Sequence, residues 1–279
     1  MRGSEPDAAR GQIPDPDARL DRPAHPHLSV VMPVYNERAT IEEILLLVSK
    51  VEIDKEVIIV DDGSTDGTRD VLEKLASRET RADDNHAPEN QSAGPLRSAL
   101  DRLQDRGRLR IFFQPNNCGK GAALRRGFKE ALGEIVIIQD ADLELSPTEY
   151  GKLIAPIEQG RADVVYGSRF LGKSRSGVPL MHYLGNKALT LASNLLTGLA
   201  VTDVWTGYKV FRREALQQIN IREDRFGFEP EITAKIARRG LRVCEVPVSY
   251  SFRSRAEGKK IGWKDAIRGI WCTLRYSLF

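Results

Sequence analysis

The sequence predicts an α/β protein with a mostly parallel central sheet flanked by helices. Short aliphatic runs recur along the chain, stretches of helical periodicity separate them, and several runs stop abruptly at acidic or glycine-bearing turns. Runs such as Ile135-Val136-Ile137-Ile138 show no polar alternation, as expected of parallel strands covered on both faces.

The 279 residues suffice to bury a substantial core. Lysine and arginine total 42 against 39 acids, a net charge of +3, which is too even for a wholesale nucleic-acid binder. Cys118, Cys244 and Cys272 are odd in number, far apart and without metal-ligand spacing. They read as free thiols in a reducing compartment, each buried as a small apolar residue. Residues 1–27 combine Pro, Asp, Arg and Ala with almost no aliphatic content and are expected to be a disordered tail. No apolar signal-peptide core follows the amino terminus, and no stretch approaches the roughly 20 apolar residues that span a bilayer. A soluble or membrane-peripheral protein is expected.

Leu28–Pro33 reads as the first strand, followed by the turn Val34-Tyr35-Asn36-Glu37. Thr40 and Glu43 stand in capping-box spacing before a helix whose buried face is Ile41, Ile44, Leu45 and Val48. A second strand, Glu56–Val60, runs into Asp61-Asp62-Gly63-Ser64, and Val71, Leu72 and Leu75 mark the next helix. Residues 77–107 turn polar and read as a solvated surface insertion. Arg110–Gln114 resumes the sheet, and Asn117-Cys118-Gly119-Lys120-Gly121 leads into a helix. Glycines at such a turn let backbone approach a phosphate, to which Lys120 adds charge.

The run from Ile135 ends in Gln139-Asp140-Ala141-Asp142-Leu143-Glu144, with a helix start at Ser146-Pro147-Thr148-Glu149. Asp163–Ser168 is a fifth strand ending at Arg169; Gly207–Phe211 and Val243–Val248 are two more strand candidates. The helix Leu184–Leu199 is apolar over much of its circumference; burial is the default reading and lipid docking the alternative. The terminal helix carries Trp263, Ile267, Ile270, Trp271, Leu274 and Leu278 near one face and Lys264, Arg268 and Arg275 elsewhere. That pattern suits an interfacial helix or an ordinary packed one.

In open parallel sheets, ligands bind outside the carboxyl ends of the strands. Two aspartates one residue apart direct hard oxygens toward a divalent cation, although an isolated pair also suits a turn that merely caps a helix. The economical division gives Asp61 and Asp62 to a nucleoside's base or ribose, and Asp142 with Glu144 to a Mg²⁺ or Mn²⁺ bridging phosphates.

The motifs Val31–Glu37, Val60–Gly67, Asn117–Gly121 and Gln139–Leu143, in this order, resemble the family 2 glycosyltransferases of the GT-A fold. They look most like the polyprenyl-phosphate (dolichyl-phosphate) mannose and glucose synthases. The resemblance runs from Leu28 to the carboxyl end, omitting the tail and the insertion. It implies an inverting hexosyl transfer from a nucleoside-diphosphate sugar such as UDP-glucose or GDP-mannose. Pro33, Tyr35, Glu37 and Asp62 would hold the nucleotide, Asp140 would orient the donor, and Asp142 would bind the metal. Glu144 stands where such synthases often carry glutamine, a change that adds a carboxylate beside Asp142.

The acceptor sets the remaining chemistry. A hydroxyl needs a general base, for which Glu231 would be the family's candidate. A phosphate arrives ionised and needs cations, for which Arg169, Arg255, Lys259 and Lys260 are available. The reading favoured is transfer to a polyprenyl phosphate, peripheral to the cytoplasmic face of a membrane. The catalytic domain would span 28–252, with 253–279 as a basic loop and membrane-facing helix. The alternatives are a hydroxyl acceptor in polysaccharide or glycolipid synthesis, and an inactive sugar-nucleotide-binding module.

Overall fold

The computed structural model describes residues 25–77, 98, 100, 103, 108–171, 178–252 and 263–278, with backbone only for 263–267. The expected tail, most of the insertion and the basic loop with Arg255, Lys259 and Lys260 lie outside the described residues.

Strands β1 (Leu28–Val34), β2 (Lys55–Asp61), β3 (Leu109–Phe113), β4 (Ile135–Ile138), β5 (Val164–Ser168), β6 (Lys209–Arg212) and β7 (Val243–Pro247) form one sheet in the order β3-β2-β1-β4-β6-β5-β7. Only β6 runs antiparallel to its neighbours. The helices are α1 (Ile41–Lys50), α2 (Thr68–Ser77), α3 (Lys120–Glu130), α4 (Tyr150–Glu158), α5 (Leu180–Thr197), α6 (Arg213–Gln217), α7 (Phe228–Arg238) and α8 (Trp263–Leu278).

Alternation along the strands explains the two layers. Val30, Met32, Val57, Ile59, Ile135 and Ile137 point into a core shared with α1 and α4. Val31, Ile58, Val60, Val136 and Ile138 point into another, closed by α3 and α7. Both faces are apolar because both are covered. The register pairs Leu28 with Ile135 and Val31 with Ile138, so the turns after β1 and β4 leave the same edge side by side. Because β2 lies on one side of β1 and β4 on the other, a crevice opens between those turns.

Several local expectations change. The Thr40 hydroxyl donates to the Glu37 carbonyl (3.3 Å) and carboxylate (3.1 Å) and caps no N–H, so the capping box does not form. Ser146 does cap, accepting the Thr148 N–H ahead of a 3₁₀ turn and α4. The helix read as Leu184–Leu199 begins at Leu180, and burial is not its state: Leu180, Met181, Leu184, Leu191 and Leu195 are exposed, with Thr190 and Ser193 buried instead. In α8, likewise, Ile270, Trp271, Leu274 and Leu278 are exposed while Cys272, Thr273 and Tyr276 pack inward. Cys118 is exposed and Cys244 only partly covered, so Cys272 alone is a buried thiol.

At the opposite edge of the sheet, Glu56 ties four segments together. Its buried carboxylate accepts from the Ser29 hydroxyl (2.6 Å), the Leu132 N–H (2.7 Å) and Arg110 (2.5 Å). Removing it orphans the buried Ser29 hydroxyl and Leu132 N–H and leaves Arg110 with Glu130 alone, so Glu56→Ala is expected to cost about 2–4 kcal/mol in urea unfolding.

Candidate active site

A cavity of about 340 Å³ occupies the crevice. The turn after β1 supplies Pro33, Tyr35 and Glu37, the turn after β2 supplies Asp62, and Asp140, Asp142 and Glu144 follow β4. Arg169, Trp205, Arg225, Glu229 and Tyr250 complete its wall.

The acidic turn is held from beneath by Gln139, which is fully buried. Its amide oxygen accepts from the hydroxyls of Tyr150 and Tyr208, both at 2.8 Å, and its nitrogen donates to the carbonyls of Asp140 (2.9 Å) and Leu145 (3.2 Å). Every polar group of that amide facing the turn is thereby satisfied. Leu143 adopts a left-handed φ of 61°, uncommon for a bulky residue, and this reverses the chain between Asp142 and Glu144. Asp142 accepts the Glu144 N–H at 3.1 Å. Burial, then the neighbouring charges of Asp140 and Glu144, push its carboxyl up to about 7.

Lys120 stands among the acids. Its ammonium lies 2.9 Å from Asp140 and 3.2 Å from Glu229. Burial alone would lower it; the two carboxylates outweigh that and hold it above the usual lysine range. It is a counter-ion within the site rather than a free cation awaiting a phosphate. The neighbouring glycines also serve another purpose than expected. A Cβ on Gly119 would strike the Asp224 carbonyl, and one on Gly121 the Glu223 carbonyl. They admit the 223–225 segment, which becomes a wall of the cavity.

Asp61 and Asp62 divide differently from the sequence reading. Asp61 is fully buried, pairs with Arg69 at 3.0 Å, accepts from Ser64 and does not line the cavity. Asp62 does line it, and its two oxygens accept the N–H groups of Cys118 (2.8 Å) and Gly119 (2.7 Å), fixing the turn before α3. Burial raises its carboxyl despite those bonds.

Arg169 is not a free phosphate ligand. It makes a bidentate pair with fully buried Asp203 at 2.7 and 2.8 Å and donates to the Trp205 carbonyl at 3.1 Å. Burial would lower it, but Asp203 holds it above its usual range. Arg169 and Glu144 both bear on the Tyr250 hydroxyl, which burial raises.

Glu231, the general base expected for a hydroxyl acceptor, is fully buried outside the cavity. Its oxygens accept the N–H groups of Arg222 and Glu223, each at 2.7 Å, and it pairs with Lys235. The adjacent acid two residues earlier, Glu229, is the one that reaches the cavity, because the first turn of α7 points it at Lys120. The Phe228-Glu229-Pro230-Glu231 motif offered two acids; only the tertiary position of α7 separates them.

Behind this wall, Glu223 receives Arg268 (2.8 Å) and the Tyr276 hydroxyl (3.0 Å) from α8. Gly269 of α8 lies so close to the Trp205 ring that a Cβ there would overlap it. Trp205, Asp203, Arg225 and Tyr250 were not singled out by the sequence because they lie on loops without motif or periodicity.

Among the described residues no three His, Cys, Asp or Glu side chains are grouped to hold a metal by themselves. The donor set nevertheless fits Mg²⁺ or Mn²⁺ of the kind bound through one or two carboxylates with substrate phosphates completing the shell. Asp142 offers a hard oxygen whose ionisation its neighbours oppose and a dication would favour, and Glu144 stands beside it.

Residues 29–100 and 89–219 match the Glycosyl transferase family 2 domain. A polyprenol monophosphomannose synthase from Mycolicibacterium smegmatis is 28% identical over 240 residues, covering 84% of this chain and 80% of the relative. A dolichyl-phosphate beta-glucosyltransferase from Trichomonas vaginalis is 28% identical over 291 residues, covering 98% and 79%. Among solved structures, glucosyl-3-phosphoglycerate synthase from Mycobacterium tuberculosis, in complex with Mn²⁺, UDP and glucosyl-3-phosphoglycerate, superposes with a TM-score of 0.60 at 22% identity. That match covers 90% of this chain and 80% of the other. The shared fold is GT-A.

Two outcomes follow from the geometry. Gln139→Leu leaves two tyrosine hydroxyls and two carbonyls without partners and is expected to cost about 3–5 kcal/mol, read by urea unfolding. For Asp142, the folded protein keeps a proton between pH 3.8 and about 7 that the unfolded chain has released, so its contribution to stability falls as pH rises through that window. In a chelator, Asp142→Asn should therefore exceed the wild type in stability above pH 7, by on the order of 1–3 kcal/mol after allowance for solvent screening. The advantage should fade toward pH 4; a pH-independent difference in paired melts would refute this origin.

Proposed function

The chain belongs to glycosyl transferase family 2 and is a glycosyltransferase; from that premise we propose that it moves a hexose from a nucleoside-diphosphate sugar to a polyprenyl phosphate, with inversion at the anomeric carbon. One observation carries the choice of acceptor. Glu231 is sealed inside the protein, and Glu229, which does reach the cavity, is tied up in an ion pair with Lys120. A hydroxyl acceptor needs a base at that wall, whereas an ionised phosphate does not. The names of the two sequence relatives point the same way.

In this reading Pro33, Tyr35, Glu37 and Asp62 line the nucleotide end, and Asp140, fixed by Lys120 and Gln139, orients the donor sugar. Asp142, with Glu144, would hold a divalent cation, whose chemistry is to neutralise charge on the departing nucleoside diphosphate. Arg225 and Arg169 bring positive charge to the rim; Arg169 acts through its fixed planar guanidinium, since Asp203 occupies one edge of it. Arg255, Lys259 and Lys260 stay candidates for the acceptor phosphate. We place the reaction at the cytoplasmic face of a membrane, to which α5 and α8 turn their exposed leucines and Trp271. No helix among the described residues is long and apolar enough to cross one.

The test is transfer of labelled sugar from UDP-glucose and from GDP-mannose, separately, to a short polyprenyl phosphate, with the free polyprenol as control. Label is expected on the phosphorylated lipid alone, lost with a chelator and restored by Mn²⁺. Asp142→Asn should lower kcat/KM by about a hundredfold or more, as removal of a group that positions charge stabilisation does. Equal labelling of polyprenol would overturn the acceptor assignment.

A further inference from the structure

A second cavity, of about 440 Å³, lies where the carboxyl ends of α7 and α8 meet. Arg222, Lys235, Arg238, Arg239, Arg275 and Tyr276 bound it, and no acid does. Lys235 is committed to buried Glu231. Among the described residues no carboxylate pairs with the four arginines. Arg238 donates to the Tyr276 carbonyl at 3.4 Å, Arg239 to the Gln218 carbonyl at 2.5 Å, and Arg275 covers the Trp271 and Tyr276 rings at 4.9 and 5.4 Å. Each guanidinium carries five N–H donors, so most remain unspent. Helix carboxyl ends attract cations, which accounts for one or two of these residues but not for Arg222, which enters from the loop before α7.

The setting identifies the anion. Trp271, Leu274 and Leu278 are exposed on α8 beside Arg275, and α5, packed on α8, adds exposed Leu191 and Leu195. A cationic pocket bordering an apolar ridge matches a phosphate carried above acyl chains. We propose that this pocket binds the phosphate headgroup of an anionic phospholipid and so fixes how the enzyme lies on a bilayer. The site is separate from the transfer cavity: Glu229 and Arg238 occupy opposite ends of α7, about 14 Å apart at the helical rise. The inference rests on the membrane-surface reading above.

The experiment is flotation of the full chain with phosphatidylcholine vesicles, with and without phosphatidylglycerol, for the wild type, for R222Q/R239Q/R275Q, and for the charge-matched K50Q/K74Q/R161Q. All six positions are exposed, and melts verify folding. The wild type should favour the anionic vesicles, and the pocket variant should lose about fivefold per arginine, about a hundredfold in all. The charge-matched variant should lose much less; equal losses in both would show a diffuse charge effect and overturn the site. A parallel arm titrates inorganic phosphate at constant ionic strength. Protection of the wild type by phosphate, with equal vesicle binding by all three proteins, would assign a free anion and overturn the headgroup. Flotation requires no turnover, so failed sugar transfer and failed docking remain distinguishable.

Discussion

The molecule is organised around a crowding of like charge. Glu37, Asp62, Asp140, Asp142, Glu144 and Glu229 line one cavity at the carboxyl edge of the sheet, and such a cluster would repel itself apart without fixed counter-charges and donors. Lys120 binds Asp140 to Glu229, backbone N–H groups before α3 hold Asp62, and Tyr250 meets Glu144. Burial and the charges of Asp140 and Glu144 push the Asp142 carboxyl up, so a dication would relieve the crowding there. Stability is conceded there and recovered in the Gln139 network below and the two apolar layers behind.

These compensations also join parts distant in sequence. Lys120 opens α3, Asp140 lies in the turn after β4 and Glu229 opens α7, so a single ammonium holds three elements in register. The 223–225 segment packs against Gly119 and Gly121 on one side and, through Glu223, is held by Arg268 and Tyr276 of α8 on the other. α8 thus touches the cavity surroundings twice, through Glu223 and through Gly269 against Trp205.

Much of this was legible in the sequence. Apolar runs interrupted by acidic turns located the strands and the binding edge, because a parallel sheet buried on both faces leaves polar residues nowhere else to gather. The sequence could not tell Glu229 from Glu231, since two acids two residues apart point to opposite faces of a helix and only the packing of α7 decides which face meets the cavity. It did not reveal that Arg169 was already claimed, because Asp203 lies 34 residues further on. Leucine spacing in α5 suggested burial; among the described residues the leucines are exposed, and the small polar Thr190 and Ser193 are the side chains that pack inward. Gly119 and Gly121 drew attention as a phosphate turn, whereas their neighbour is protein backbone.

The ion pair of Lys120 with Glu229 also crosses a boundary of another kind. The stretch recognisable as the family domain ends at residue 219, yet Arg225, Glu229 and Tyr250 beyond it form part of the cavity wall. One side of the chamber thus comes from the stretch matched to the family domain and the other from residues that follow it. Because one ammonium pairs with Asp140 on the near side of residue 219 and with Glu229 on the far side, neither half of the chamber can be altered at these acids without changing the charge balance of the other.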